Sequence, residues 1–290
     1  MSEKKNVYWF LIDGLSPLYM NISGNSDIKE NFFDNYLKDA VVFSNVASTA
    51  AGTHCSMHSI FSSLLPSVNG ASGWSKKALR RFNKRILTLT DYFKLEGYRT
   101  FRYSDADGER NVPMSGFDVW ESSGYRIGEF LKFTCNGKCK RRDKFINLVN
   151  STSNPKFVYH HVEVLHDLAG GLGTKWPSEK YVEYINVVSL EFEKLIAEYK
   201  INDNDVVIIS SDHGVVLDKD YIEDGLKNGE RQYEQSVRTI WGIKNSGISA
   251  QIIDTLISSL DEVLFSTLND ASFFTLNGAA SAQASKSDAF

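Results

Sequence analysis

Apolar runs typical of buried strands alternate with helical periodicity along most of the chain. The runs that predict strands are residues 7–12, 41–43, 98–103, 156–164, 205–211 and 237–243. Apolar residues at helical spacing predict helices, weakly over 27–37 and more clearly over 53–64, 87–95, 178–199 and 248–264. Strands that alternate with helices predict an α/β fold, a three-layer sandwich whose mostly parallel central sheet carries helices on both faces.

Composition and length fit one large globular domain. The chain has 290 residues, of which 42% are hydrophobic and 23% charged, enough to bury a full core. We expect a single domain over residues 1–276. The Ala/Ser-rich residues 277–290 predict a disordered tail, and residues 104–124, rich in Asp, Gly and Ser, predict a loop.

Net charge and cysteine content restrict the binding partners of the chain and the state of its thiols. A net charge of −4 and a pI near 5.9 give no general attraction to nucleic acid or to an anionic membrane. The one basic cluster, residues 138–142, is either a solvated surface or a contact for a phosphorylated substrate. Three cysteines, an odd number, indicate free thiols: Cys55, Cys135 and Cys139.

The sequence contains no stretch long and apolar enough for a signal peptide or a membrane span. The expectation is therefore a cytoplasmic, soluble protein without a membrane span. A domain excised from a longer protein would give the same pattern.

Two predicted central strands end in side chains that bind metals. The run over residues 7–12 ends in Asp13-Gly14, and the run over 205–211 ends in Asp212-His213-Gly214. In open α/β sheets, ligands bind at the carboxyl edge where such strands end. The alternative for Asp13-Gly14 is a simple turn, and the strand alone favours neither interpretation.

Thr53 lies between a loop of small residues, 47–52, and a predicted helix. A hydroxyl at a helix N-terminus faces unpaired backbone N–H groups and the positive end of the helix dipole, which favour a phosphate or sulfate group. Thr53 is then a nucleophile toward a bound ester. The alternative is that Thr53 only caps the helix, as threonine often does.

The middle strand, residues 156–164, contains His160, His161 and Glu163, and His166-Asp167 follow it. Because alternate strand residues share a face, we expect His161 and Glu163 on one face and His160 on the other. The glycine-rich residues 169–177 lack the spacing of a dinucleotide fingerprint and predict a loop on the substrate side. The acidic residues 105–108 lack the remaining spacing of a calcium loop.

Together, Asp13, Thr53, Asp212 and His213 predict one site for a single divalent metal ion. Two carboxylates, one imidazole and one hydroxyl suit Zn²⁺ or Mn²⁺ best, with Mg²⁺ or Ca²⁺ as alternatives. An ion on the Thr53 hydroxyl would lower the pKa of that hydroxyl and activate it as a nucleophile.

These motifs resemble those of the alkaline phosphatase superfamily, specifically its sulfatase-like branch. The resemblance runs from Asn6 to Asp261 and rests on five segments: FLIDG, FSNVASTAAGTHCSMHSIFSSLLPSVNG, VEVLHD, IISSDHG and YEQSVRTIWGIK. It implies an α/β sandwich around a mixed sheet, a catalytic domain over residues 1–276, metal ligation by Asp13, Asp212 and His213, and Thr53 as covalent nucleophile.

The sequence departs from true sulfatases, which carry Cys or Ser at the nucleophile, Pro two residues later and Arg four residues later. These positions are Thr53, Cys55 and Met57 here. His213 is also the last histidine, so the late histidine of two-metal members is missing. The pattern is more similar to the phosphoglycerol and phosphoethanolamine transferases. The phosphoethanolamine transferases carry two histidines five residues apart, and His161 and His166 have the same spacing.

The sequence therefore predicts a metal-dependent phosphotransferase or phosphodiesterase that works through a phospho-threonine intermediate. Thr53 attacks, and His161 and His166 orient the phosphate or protonate the leaving group. The expected substrate is a phosphorylated small molecule, lipid or glycan, with transfer of a phospho-alcohol group to a glycan or small acceptor. The alternatives are a simple phosphatase or sulfate-ester hydrolase with water as acceptor, and a non-catalytic binding module of the same fold.

Overall fold

The computed structural model describes residues 4–72, 82–105, 112–113, 115–124, 139–153, 155–168, 178–217 and 234–259, without the side chains of residues 166, 167, 178, 179 and 234. The predicted tail, residues 277–290, lies outside these ranges. Nine strands in the described part form one sheet: β1 (Val7–Ile12), β2 (Ala40–Ala47), β3 (Arg99–Ser104), β4 (Val119–Ser122), β5 (Lys156–Val162), β6 (Val206–Ser210), β7 (Arg238–Lys244), β8 (Gln251–Ile253) and β9 (Ile257–Ser258).

The strand order is β4-β3-β5-β1-β6-β7-β2-β8, and β9 also pairs with β2. All pairings are parallel except those of β7, which runs antiparallel to both β6 and β2. The prediction of a mostly parallel sheet is confirmed. Because β1 and β6 are parallel neighbours in the middle of the sheet, the residues that follow them lie at the same edge.

The described α-helices are α1 (Phe32–Leu37), α2 (Thr53–Ser62), α3 (Pro66–Asn69), α4 (Leu89–Leu95), α5 (Lys140–Ser151), α6 (Val164–Leu168), α7 (Ser178–Glu198) and α8 (Glu234–Val237). Two short 3-10 helices, Pro17–Tyr19 and Asn21–Ser23, follow β1. Asn31 caps α1 and Thr88 caps α4, each in a capping box that satisfies free backbone N–H groups of the first turn.

Successive side chains of β1 point to opposite faces of the sheet, and each face packs in its own hydrophobic cluster. Tyr8, Phe10 and Ile12 pack in one cluster with the apolar stripe of α7, whereas Val7, Trp9 and Leu11 pack in the other with α2 and α4. Every β1 residue is buried, which explains why its sequence is apolar on both faces. The predicted three-layer arrangement, a sheet between two helical layers, is confirmed.

Three local predictions were wrong. The helix expected over 248–264 is replaced by β8 and β9 up to residue 259, because residues 251–253 and 257–258 pair in parallel with β2. The loop expected over 104–124 contains β4, which pairs with β3. Helix α2 ends at Ser62, since Ser63 adopts a left-handed conformation with φ of 53° and breaks the helix before Leu64.

Candidate active site

The site lies at the carboxyl edge of the sheet, where Asp13 follows β1 and Asp212 and His213 follow β6. The loop between β2 and α2 is held against this edge by Ser48, whose N–H donates to Val237 O at 2.7 Å and whose hydroxyl donates to Asp212 O at 2.6 Å. These contacts bring the start of α2 next to the ends of two central strands. Asp13, Thr53, Asp212 and His213 are all buried.

Thr53 is the first residue of α2, and Gly52 occupies the N-cap position. No side chain caps the helix, so the alternative interpretation of Thr53 as a helix cap is wrong. Its hydroxyl instead donates to Asp13 Oδ2 at 3.2 Å and lies 3.3 Å from His213 Nε2. Gly52 is extended at the N-cap position, so the Thr53 hydroxyl lies at the first position of the helix.

His213 Nε2 lies 3.5 Å from Asp13 Oδ1 and 3.4 Å from Asp212 Oδ2. The other ring nitrogen, Nδ1, is 2.7 Å from Gly214 O and must donate to this carbonyl. A neutral imidazole then presents a lone pair at Nε2, directly toward the two carboxylates. One ligand atom from each of Asp13, Asp212 and His213 can be chosen so that all lie within 4.8 Å of one another.

This donor set fits a divalent cation. Asp212 Oδ2 is buried and has no hydrogen-bond partner among the described residues, although it faces the other acceptor atoms. Burial, followed by the charge of Asp13, raises the pKa of Asp212. A buried carboxylate oxygen without a hydrogen bond, close to a second carboxylate and an imidazole, is stabilised by a cation between the three groups. Hard oxygens plus one imidazole suit Zn²⁺ or Mn²⁺, as the sequence predicts.

His161 also reaches this cluster, from the neighbouring strand β5. Its Nε2 lies 3.0 Å from Asp13 Oδ2, and its Nδ1 lies 3.4 Å from Glu163 Oε1. Burial alone would lower the pKa of His161, but the charges of Glu163 and Asp13 outweigh burial and raise it. Glu163 Oε1 in turn accepts from the hydroxyl of Ser104, at 2.9 Å.

His160 points to the opposite face of the sheet, as its strand position predicts. Its Nδ1 is 2.8 Å from the hydroxyl of Tyr199, and its Nε2 is 3.2 Å from Asp105 Oδ1. His160 is fully buried and so contacts a second polar network in the other core layer. The expected division of the two neighbouring histidines between the faces is confirmed.

Arg102 and His58 were missed in the sequence. Arg102 lies on β3, 2% exposed, paired in register with Tyr159 on the face that also carries His161. His58 lies one turn after His54 in α2, with ring centroids 4.3 Å apart. The sequence contained one signal for Arg102: it alternates with Thr100 and Ser104, so these three polar side chains share one face of a predicted strand. Arg102 therefore places a buried guanidinium on the face of the sheet that also carries His161.

Several predicted features lie outside the described residues. The backbone of His166 belongs to α6, but its side chain is not described. The glycine-rich residues 169–177, Cys135 and most of the acidic stretch 105–108 are also outside. Asp105 itself bonds His160. Cys55 and Cys139 are free thiols, as expected, and both are buried. No helix among the described residues is long and apolar enough to cross a bilayer.

No family model and no curated protein matches this sequence. Solved structures do match its fold. A 2-O glycosaminoglycan sulfatase is 14% identical with a TM-score of 0.73, covering 96% of this chain and 73% of the sulfatase. A protein of the alkaline phosphatase superfamily from Vibrio parahaemolyticus is 16% identical with a TM-score of 0.59, covering 90% of this chain and 65% of that one.

A third match is a phosphonate monoester hydrolase of Agrobacterium radiobacter, 13% identical with a TM-score of 0.59, covering 89% of this chain and 72% of the hydrolase. At these identities the likeness shows the fold alone. The chain has the alkaline phosphatase-like α/β fold that the sequence resemblance implies.

Proposed function

We propose that this chain, which has the alkaline phosphatase-like fold, is a metal-dependent phosphotransferase or phosphodiesterase that forms a phospho-threonine intermediate. One observation carries the proposal. The hydroxyl of Thr53, at the first position of a helix, lies 3.2 Å from Asp13 Oδ2 and 3.3 Å from His213 Nε2, beside a buried carboxylate and imidazole set. A nucleophile, an acceptor for its proton and a metal-ligand set therefore share one point.

In the first step, the Thr53 oxygen attacks phosphorus and the bond between phosphorus and the leaving alcohol breaks. The Thr53 proton passes to Asp13 Oδ2, which already accepts it in a hydrogen bond. The N-terminal end of α2, which begins at Thr53, would face the negative phosphoryl oxygens with the positive end of the helix dipole. The leaving alcohol oxygen takes a proton from the solvent or from His166, the second histidine of the middle segment.

In the second step, the oxygen of an alcohol or water attacks phosphorus and the bond between phosphorus and the Thr53 oxygen breaks. The Thr53 oxygen takes back the proton held on Asp13 Oδ2, and the proton of the attacking alcohol or water passes to the group that protonated the leaving alcohol, His166 or the solvent. A transferase uses an alcohol acceptor, and a phosphodiesterase uses water. Asp13, Asp212, His213 and Thr53 would hold the divalent ion. When bound, the ion stabilises the negative charge on the phosphoryl oxygens and lowers the pKa of the attacking hydroxyl.

The substrate class follows from the residues around the nucleophile. Thr53, Cys55 and Met57 replace the residues that true sulfatases need, which favours phosphoryl over sulfuryl chemistry. Arg102 adds a buried cation on the site's face of the sheet, suited to an anionic group. The proposed substrate is a phosphorylated small molecule, lipid or glycan, and the acceptor is a glycan or another small alcohol.

A second candidate is a sulfate-ester hydrolase with water as acceptor. It is favoured by the fold matches, which include a glycosaminoglycan sulfatase and a protein solved with a carrageenan oligosaccharide. Parallel assays with a nitrophenyl sulfate and a bis-nitrophenyl phosphate, each with added Mn²⁺ or Zn²⁺, separate the two candidates. Turnover of the sulfate alone would contradict the phosphoryl proposal. Turnover of neither, by a chain that binds the ion, would favour a non-catalytic module.

The decisive variant is Thr53→Ala, compared with Thr53→Ser and with Ser62→Ala. Loss of the attacking oxygen should lower kcat by about a thousandfold or more. Thr53→Ser keeps an oxygen and should retain activity. Ser62→Ala removes a hydroxyl at the other end of α2, where it donates to His58 O at 2.7 Å, and should leave turnover unchanged. Mass spectrometry after acid quenching should find on Thr53 the phosphoryl group with its remaining alcohol, which is nitrophenyl phosphate when the substrate is bis-nitrophenyl phosphate. More than a tenth of wild-type activity in Thr53→Ala would refute the covalent mechanism.

A further inference from the structure

Glu163 is a buried carboxylate that follows β5 and belongs to the candidate site without being one of its metal ligands. Its side chain is 1% exposed, and that of His161 is fully buried. Glu163 Oε1 lies 3.4 Å from His161 Nδ1, at ion-pair distance, and accepts from Ser104 at 2.9 Å. The hydroxyl of Ser104, from the adjacent strand β3, thus fixes the position of the Glu163 carboxylate.

His161 connects this carboxylate to Asp13. A carboxylate accepts but does not donate, so His161 Nε2, 3.0 Å away, donates to Asp13 Oδ2. The hydroxyl of Thr53 donates to the same oxygen at 3.2 Å. Thr53 and His161 therefore both donate to Oδ2, whereas Oδ1 is the oxygen of Asp13 that lies near another proposed ligand, 3.5 Å from His213 Nε2.

We propose that Glu163 is a positioning residue that acts through His161: it holds the imidazole against Asp13 Oδ2 and so presents Oδ1 alone to the metal ion. The inference rests on the proposed function, since it assumes that Asp13 is a metal ligand. His161 is enclosed between two carboxylates and is fully buried, so it contacts Asp13 rather than the substrate. This assigns His161 a role that differs from direct contact with phosphate.

The negative charge of Glu163 is the feature that matters in this arrangement. The two carboxylates lie against opposite nitrogens of the buried His161 ring, at 3.0 Å and 3.4 Å, and solvent screens charge little at a buried position, so these contacts orient the ring. Partners that orient the groups around a metal typically change metal affinity or activity by about 10–100-fold when they are removed. Glu163→Gln is isosteric and still offers an oxygen to Ser104, so it removes the charge while keeping the packing.

The test is a double-mutant cycle on metal binding by the full chain, stripped of metal and titrated with Mn²⁺ alone in a calorimeter. Glu163→Gln should weaken Mn²⁺ binding by about tenfold. In a His161→Gln background the same change should alter the Kd by less than about twofold, because the residue through which Glu163 acts is gone. An equal effect in both backgrounds would overturn the proposal, since it would show a direct effect of the charge on the ion.

Asp105→Asn is the matched control, because Asp105 is a buried carboxylate that contacts His160 on the other face of the same strand. It should lower stability without changing the Kd for Mn²⁺. Nitrogen NMR of the histidine rings is the second readout: the His161 signals should move in Glu163→Gln and stay in Asp105→Asn. Unchanged His161 signals would overturn the proposal. Failure of the wild-type chain to bind Mn²⁺ would instead refute the metal site itself.

Discussion

Asp212 destabilises the metal-free fold but is needed in the proposed metal site. Its side chain is fully buried beside Asp13, and burial together with that neighbouring charge raises the pKa of Asp212. A second buried carboxylate at short range is unfavourable unless a cation neutralises the pair. In the metal-free chain this pair therefore costs stability that the metal-bound chain recovers.

We expect Asp212→Asn to raise the stability of the metal-free chain and to abolish metal binding. The amide removes the repulsion with Asp13 but supplies only a weak ligand, so the thermal midpoint in EDTA should increase. Added Mn²⁺ should then produce no further increase, unlike in the wild type. Thermal unfolding followed by circular dichroism, with and without Mn²⁺, measures both effects. A midpoint in EDTA below that of the wild type would contradict the expectation.

His58 predicts a loss of stability in acid. Burial and the neighbouring His54 lower the pKa of His58 to about 4, despite its bond to the His54 carbonyl. Since the unfolded chain binds a proton near the ordinary pKa of 6.5 and the folded chain does not, this group makes the fold less stable as pH falls from 6.5 toward 4.

Between pH 7 and pH 5 this single group should cost about 2 kcal/mol of unfolding free energy. His58→Gln removes the titrating group and keeps a donor for the His54 carbonyl. Between pH 7 and pH 5 this variant should therefore lose about 2 kcal/mol less unfolding free energy than the wild type. Urea unfolding of both chains in EDTA gives the comparison. Equal losses in the two chains would show that His58 stays exposed to protons in the fold.

At the scale of elements, the long helix α7 fixes the turn that follows β1. The hydroxyl of Tyr181, in the first turn of α7, donates to Gly14 O at 2.6 Å and accepts from Ser16 N at 3.0 Å. Gly14 adopts a left-handed conformation with φ of 72°, which lets the chain turn sharply directly after Asp13. The Tyr181 side chain thus orients the backbone that follows Asp13, a proposed metal ligand.

Tyr181→Phe should lower stability and weaken metal binding together. It leaves the buried N–H of Ser16 without its acceptor, which costs about 1–3 kcal/mol. The freed turn should also hold Asp13 less firmly, and the Kd for Mn²⁺ should rise severalfold. Tyr184→Phe, in the same helix, is the control because its hydroxyl is not the one that bonds this turn. An unchanged Kd in Tyr181→Phe would mean that the turn keeps its shape without the helix.

At the scale of the whole molecule, the supply of ligands predicts one divalent ion per chain. Among the described residues, one group of carboxylates and histidine can hold an ion, the set Asp13, Asp212 and His213. Elemental analysis of purified protein should find one ion per chain. A free ion concentration of about 100 times its Kd should stabilise the fold by about 2.7 kcal/mol. Two fully occupied ions about 4 Å apart in a crystal would contradict this prediction.

The sequence by itself determined the elements whose pattern is local and strong. The run VYWFLI is buried on both faces and forms β1 over the predicted residues, and the apolar stripe of residues 178–199 forms α7 as Ser178–Glu198. Periodicity of this kind is a property of each segment, so it needs no knowledge of partners. The positions of Asp13 and Asp212 were predictable for the same reason, because each residue comes directly after an apolar run that forms a buried strand.

Only the tertiary structure decided which segments pair and which side chains meet. Residues 251–253 form a strand because β2 offers a free edge, although their sequence also suits a helix. The reversed direction of β7 was likewise set by its neighbours β6 and β2. Thr53 and His161 converge on one oxygen of Asp13 from separate elements. Such contacts join residues distant in the chain, and their energies depend on burial and geometry that no local pattern records.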